Sequence, residues 1–265
     1  MPVFHIIVLA LIQGLTEFLP VSSSAHLILG SHAFGWQDQG LVFDVATHLG
    51  TLFAVLVYFR RDLRRMLRAF TSHQRDATSQ RRRNMVVFLG LASVPALLIG
   101  FIGHSLVEHY LRDVRVIAGS TIVFGLVLWW ADVRGRKTRE LTDMNLRSAL
   151  WIGFAQVLAL VPGVSRSGIT ITAGRFLGFQ PEAAARFSFL LAIPVIGGVG
   201  LYGMYRVAMG EAEIDWSQFG MAVFFAAIAG WVCIAAFLAL LRRVGLLPFI
   251  IYRLALGVVL LWLLY

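Results

Sequence analysis

The sequence predicts an all-α polytopic membrane protein, with six transmembrane helices plus two re-entrant helical hairpins in an inverted-topology repeat. Three observations predict it. Of 265 residues, 58% are hydrophobic and only 14% charged, and the mean hydropathy is +0.78, a composition outside that of soluble domains. Whole windows are almost uncharged: from 246 to 265 Arg253 is the only charge, and the window is long enough to cross a hydrocarbon core. Two further apolar regions are broken by proline and then by serines, a pattern tolerated at membrane depth only where protein or a water-filled cavity satisfies the freed backbone groups.

In chain order, the first broken region runs from 3 to 33 and is interrupted by Pro20. Spans follow at 41 to 59, 84 to 104 and 114 to 131. The second broken region, 148 to 178, is interrupted by Pro162-Gly163, and spans follow at 183 to 205, 219 to 240 and 246 to 265. The chain reads as a single membrane domain, 1–265, made of a first repeat, 1–131, a linker, 132–147, and a second repeat, 148–265. Gln13 matches Gln156, Pro20 matches Pro162 and Phe43 matches Phe187, at offsets of 143, 142 and 144. Each half is one hairpin and three spans, and an odd number of spans turns the second half upside down. The two hairpin tips then meet near the midplane.

The formal charge is +9, with 23 basic residues that are all arginine except Lys137. They cluster between apolar segments, which marks topology and excludes a nucleic-acid partner. The 60 to 83 loop holds Arg60, Arg61, Arg64, Arg65, Arg68, Arg75, Arg81, Arg82 and Arg83, and is therefore expected in the cytoplasm. The 132 to 147 linker and the 241 to 245 turn carry further arginines on the same side. The 105 to 113 loop offers Arg112, and Arg206 in the 206 to 218 loop is opposed by Glu211, Glu213 and Asp215. By this count the first hairpin enters from the periplasm and the second from the cytoplasm. A lone Cys233 excludes an internal disulfide and argues against a thiolate metal site. No basic region or small-residue cleavage site precedes the first apolar run, so that segment is expected in the mature protein.

The first hairpin is polar for its depth. Glu17 is ionisable within an apolar region, a functional candidate by default. Gln13 lies four residues earlier on the same helix face, where the two can hold a divalent cation or position a nucleophile; the plainer reading is a hydrogen-bonded pair. Pro20 and the serines Ser22, Ser23 and Ser24 suit the start of a new half-helix whose free amides attract phosphate. His26 follows Ser23 by three residues, so its imidazole can approach the hydroxyl as base or acid, unless the serines are only a packing face. In the second hairpin, Gly163 allows close approach of backbone to a ligand, and Ser165, Ser167 and Thr170 surround Arg166, whose guanidinium grips phosphate with two donors. Arg166 also suits a buried ion pair with Glu17, which is compatible if a substrate inserts between them. Arg175 and Arg186 suit a cytoplasmic rim, and Asp44 and His48, sharing a helix face, suit supporting roles.

The segments TEFLPVSSSAH, 16 to 26, and PGVSRSGIT, 162 to 170, resemble the two signature motifs of the undecaprenyl-diphosphate phosphatase family associated with bacitracin resistance. Length, span number, the arginine-rich loop and the closing LLPFIIYR stretch are similar to that family across the whole chain. The resemblance implies hydrolysis of undecaprenyl diphosphate to undecaprenyl phosphate and inorganic phosphate in the bacterial inner membrane, which recycles the lipid carrier of peptidoglycan and cell-wall synthesis. It implies Ser23, His26, Glu17 and Arg166 as catalytic residues and Ser165, Ser167 and Thr170 as substrate-binding ones, and the half-helix starts add Ser22, Ser24 and Gly163 to the expected substrate contacts. It also implies a divalent cation, Mg2+ or Ca2+, at Glu17 and Gln13. Ser24-Ala25 departs from the threonine and glycine common in the family. The expected partner is the membrane lipid substrate, and a homodimer is the protein assembly considered. The alternative is a lipid-carrier transporter or flippase, since inverted repeats with broken helices also build transporters. Ser23, His26 and Arg166 are what a hydrolase needs and a passive carrier does not.

Overall fold

The computed structural model describes residues 2–36, 40–71, 76–110, 113–211 and 213–263; Arg75 and Arg112 lie outside them. The described residues form helices and no strand. The order is α1 (Val3–Glu17), α2 (Ser23–Phe34), α3 (Gly40–Tyr58), α4 (Arg60–Thr71), α5 (Ala77–Tyr110), α6 (Val114–Arg134), α7 (Leu146–Gln156), α8 (Arg166–Phe176), α9 (Pro181–Arg206), α10 (Trp216–Val244) and α11 (Leu247–Trp262). A tighter turn, Val157–Leu160, continues α7, and a wider one, Val207–Glu211, continues α9.

Five helices, α3, α5, α6, α9 and α10, are long and apolar enough to cross a membrane. The sixth expected span, 246 to 265, contains α11, which has 16 residues and falls below the usual crossing length of about 20. Helices α1 and α7 are also short, 15 and 11 residues, and both stop where the chain breaks. Pro20 and Pro162 sit in those breaks, ahead of α2 and α8 rather than in their first turns.

Among the described residues, the 60 to 83 stretch is mostly helical rather than a loop. Residues 60 to 71 form α4, and α5 begins at Ala77. The reason is periodicity beneath the charge: Leu63, Met66 and Ala69 recur at helical spacing, and Met66 and Ala69 are buried. Asp62 on α4 accepts from Arg186 on α9 at 2.9 Å, so Arg186 does sit at the basic end of the molecule.

Side chains fix the helix starts. Asp113 accepts from the Arg115 amide at 2.7 Å, Asn145 from Ser148 at 2.9 Å, and Asp215 from Ser217 at 3.0 Å. Helix α10 packs on α3 and α1, α7 packs on α5, α9 spans α3, α5 and α8, and α6 packs on α8 and α11. Small residues allow this closeness: a Cβ on Gly14 would fall 2.6 Å from the Ala226 carbonyl of α10, and one on Gly153 would overlap the Ala92 backbone of α5.

The linker between α6 and α7 is tied to the end of α8. The Thr138 and Arg139 amides donate to the Gly178 carbonyl, and the Gln180 amide donates to the Arg139 carbonyl at 2.8 Å. Arg175, expected on a rim, is fully buried, bound to Asp132 at 2.8 Å and to the Phe179 carbonyl. A buried guanidinium needs that many acceptors. This knot anchors the base of α8, whose other end enters the site.

Candidate active site

Both chain breaks resolve in the same way. Ser22 and Ser165 each adopt positive φ, 71° and 68°, a conformation that costs a side-chain-bearing residue roughly 1 to 2 kcal/mol. Each then caps the helix that follows: Ser22 Oγ accepts from the Ala25 amide at 3.4 Å, and Ser165 Oγ from the Gly168 amide at 3.1 Å. Each hydroxyl also pairs with the serine two residues on, Ser24 and Ser167, at 3.2 Å. The two breaks share an offset of 143, the same as Gln13 to Gln156.

The tips are locked together. Ser167 donates to the Leu19 carbonyl at 2.7 Å, and Ser120 of α6 donates to the Pro162 carbonyl at 2.6 Å. Arg253 of α11, fully buried, gives Nε to Thr121 at 2.9 Å, Nη1 to Pro20 at 3.4 Å, and Nη2 to Gly163 and Val164 at 2.8 and 2.6 Å, all backbone carbonyls. Gly163, at φ 92°, lies against the Ile117 backbone, so a side chain there would collide. Its glycine serves close packing against α6 as well as the turn.

Glu17, the last residue of α1, is the hub. Its Oε2 accepts from Gln13 Nε2 at 2.9 Å and from Ser23 Oγ at 3.2 Å, and its Oε1 from Arg166 Nη2 at 3.4 Å. Arg166 also donates Nη1 to the Ser188 carbonyl at 3.0 Å, while Thr170 bonds the Ser188 hydroxyl at 2.7 Å. Thr170 therefore braces α8 against α9. The expected approach of His26 to Ser23 is not found. Its Nδ1 donates to the Ser22 carbonyl at 2.7 Å, which leaves Nε2 to accept from the Tyr252 hydroxyl at 2.7 Å, and the two rings stack. The helix carries the imidazole away from the hydroxyl and over α11.

A cavity of about 560 Å³ lies beside this hub. Glu17, Arg166, Gln156 and His48 supply its polar wall, and α5 and α9 supply an apolar one that includes Leu97, Phe101, Ile196 and Val199. Gln13 Oε1, Arg166 Nε and both terminal atoms of Gln156 are buried without a partner. A buried polar atom left unpaired costs about 1 to 3 kcal/mol, so those on the cavity-lining residues Arg166 and Gln156 suit a ligand in the cavity. Ser23 is the nucleophile candidate, its proton directed at a carboxylate. Arg166 is the anion-clamp candidate, its guanidinium facing the cavity. Glu17 and Gln13 Oε1 are two oxygens suited to a hard cation whose remaining ligands are phosphate and water. No cluster of three or more His, Cys, Asp or Glu residues occurs among the described residues.

Sequence reasoning did not single out Gln156, Ser188, Tyr252 or the clamping role of Arg253. Two carried a signal: Gln156 matches Gln13 at the offset of 143 that the two breaks share, and Arg253 is the lone charge in its window. Ser188 and Tyr252 carried none, since their contacts span distant helices.

The family model described as bacitracin resistance protein BacA matches residues 6–259. The chain belongs to the BacA family. Relatives of this BacA chain include the undecaprenyl-diphosphatase of Chromohalobacter salexigens, 54% identical over 97% of both chains. That of Alcanivorax borkumensis is 51% identical over 98% of both, and undecaprenyl-diphosphatase 1 of Pseudoalteromonas translucida is 49% identical over 97% of both. The stretch of the BacA chain matched by the family model contains both breaks, the Glu17 hub and Arg253.

Proposed function

We propose that this chain hydrolyses undecaprenyl diphosphate to undecaprenyl phosphate and inorganic phosphate, recycling the lipid carrier for cell-wall synthesis and contributing to bacitracin resistance. The observation that carries this is a serine, a carboxylate and a guanidinium joined at Glu17 beside a cavity with apolar walls, in a chain about half identical to named diphosphatases. The diphosphate head lies in the polar part of the cavity while the prenyl tail stays in lipid.

Substrate draws Arg166 from Glu17 onto the terminal phosphate. Glu17 Oε2, which already accepts from the Ser23 hydroxyl at 3.2 Å, takes its proton. Ser23 Oγ forms the new bond to the terminal phosphorus as the bridging P–O bond breaks, and undecaprenyl phosphate leaves with the proton that Glu17 took from Ser23. Water then attacks the phosphoserine, Glu17 takes its proton and returns it to Ser23 Oγ as that P–O bond breaks, and Ser23 and phosphate are released. Arg166 and the α8 amides stabilise charge on the transferring group. His26 holds the Ser22 carbonyl and so orients the turn. Ser22, Ser24, Ser165, Ser167, Gly163 and Thr170 shape that cradle. A divalent cation, Mg2+ or Ca2+, held by Glu17 and Gln13 Oε1, would neutralise phosphate charge.

In the same reading the protein is a multi-pass protein of the bacterial inner membrane. Helix α11 is the sixth span, and α1–α2 and α7–α8 are the re-entrant hairpins of an inverted repeat. The matched caps at Ser22 and Ser165 and the exchange of packing partners, α1 on α10 and α7 on α5, support this. Detergent-purified protein is expected to release phosphate from undecaprenyl diphosphate, and Ser23→Ala protein to lose that release. Lipid movement across vesicles without phosphate release would instead favour the flippase.

A further inference from the structure

We infer that Gln156 binds the phosphate that stays on the lipid, so that the cavity has two phosphate subsites in series, a terminal one at Arg166 and an ester one at Gln156. This rests on the diphosphatase reading and adds the selection of a diphosphate head over a monophosphate one.

Gln156 is 1% exposed, and neither its carbonyl oxygen nor its amide nitrogen has a partner. It lines the cavity that also holds Glu17 and Arg166. Glutamine in an apolar wall with two orphaned ends is worse for folding than leucine of similar size, so its presence points to something that enters the cavity. A carboxamide offers two N–H donors to phosphate oxygens and one acceptor to a bridging water.

The contacts give the depth of each group. Gly153 packs on the Ala92 backbone and Gly100 faces Leu160, which brackets Gln156 beside Ala96 and Leu97 of α5. Leu97 in turn lies against Gly198 of α9. Arg166 is anchored further back on α9, at Ser188, about three helical turns from Gly198. Side chains lean toward the start of their own helix, which directs Gln156 from its level toward Arg166. Beyond Gln156, Phe101 and Tyr202 meet ring to ring at 5.4 Å on the far side of the cavity. A head group entering past these rings meets Gln156 first and Arg166 last. The terminal phosphate, which is transferred, therefore goes to Arg166 and Ser23, and the ester phosphate stops at Gln156.

His48 shares this outer level, because its neighbour Leu49 lies against Gly200. Its Nδ1 donates to the Asp44 carbonyl at 2.7 Å, which leaves Nε2 as the outward nitrogen beside the same subsite.

The test uses Gln156→Leu in the full-length protein. With undecaprenyl diphosphate, kcat/KM is expected to fall about tenfold to a hundredfold, mainly through KM, the usual cost of one lost hydrogen bond to a charged group. The deciding comparison is product inhibition. Undecaprenyl phosphate, which fills the ester subsite, should inhibit the variant at least tenfold more weakly than wild type, while inorganic phosphate, which fills the terminal subsite, should inhibit both equally. The thermal midpoint without ligand should stay level or rise, since two unpaired buried groups are removed. Unchanged inhibition by undecaprenyl phosphate, or a loss confined to inorganic phosphate, overturns the assignment, as does a lowered midpoint with both inhibitors unaffected. Should the leucine protein not fold, Gln156→Met carries the same comparison. Wild-type protein that releases no phosphate would sink the diphosphatase reading itself, whereas active wild type with an indistinguishable variant sinks only the subsite.

Discussion

Arg166 is the residue on which charge, geometry and chemistry converge. Lysine in its place keeps the charge but cannot hold Ser188 and two phosphate oxygens at once. Arg166→Lys is therefore expected to lose about 2 to 4 kcal/mol of transition-state stabilisation, a rate loss of roughly thirtyfold to nearly a thousandfold. Turnover of undecaprenyl diphosphate by folded variant protein measures this, and near-wild-type rates would remove the clamp. Beside it, the unpaired oxygen of Gln13 suits a cation. Chelation should abolish phosphate release, with recovery on adding Mg2+ or Ca2+. Gln13→Glu should keep activity and Gln13→Leu should lose it; full turnover in excess chelator would dismiss the metal. Glu17, Ser23 and Arg166 were legible in the sequence because polar groups at membrane depth are conspicuous. The direction of the His26 ring was not, since three-residue spacing puts two side chains on one face without fixing which neighbour each prefers.

At the scale of elements, the breaks after α1 and α7 depend on one distant side chain. Arg253 holds carbonyls from both tips and from α6. Arg253→Lys cannot span them, and losing two or three such bonds should lower stability by about 2 to 4 kcal/mol. Thermal unfolding in detergent checks this; an unchanged midpoint would mean that the tips hold without it. Both breaks could be read from proline followed by serines, and the matching glutamines pointed to their relation. The clamp was hidden because its partners are backbone carbonyls, which leave no residue pattern. Helix α4 was hidden for a different reason: five arginines in a short stretch masked the apolar repeat of Leu63, Met66 and Ala69.

For the whole molecule, the basic side is predicted to face the cytoplasm. Arg64→Cys on α4, in a Cys233→Ala background, should resist an impermeant thiol reagent applied to intact spheroplasts and react once they are lysed. Labelling before lysis would invert the orientation. The five long helices were readable from apolar length alone, whereas the short α11 ends below crossing length among the described residues. Helix α11 is held against α6, a contact that hydropathy does not report.

The locked tips hold two guanidiniums, the fully buried Arg253 and the half-buried Arg166, and the carboxylate of Glu17. Two guanidiniums stand there beside one carboxylate, so an anion that enters the site is expected to stabilise the folded protein. Occupancy and heat resistance are then coupled: an anion that binds the folded form alone raises the melting point in proportion to the logarithm of its concentration above Kd. Melting curves would rank head-group analogues even for variants that have lost all turnover.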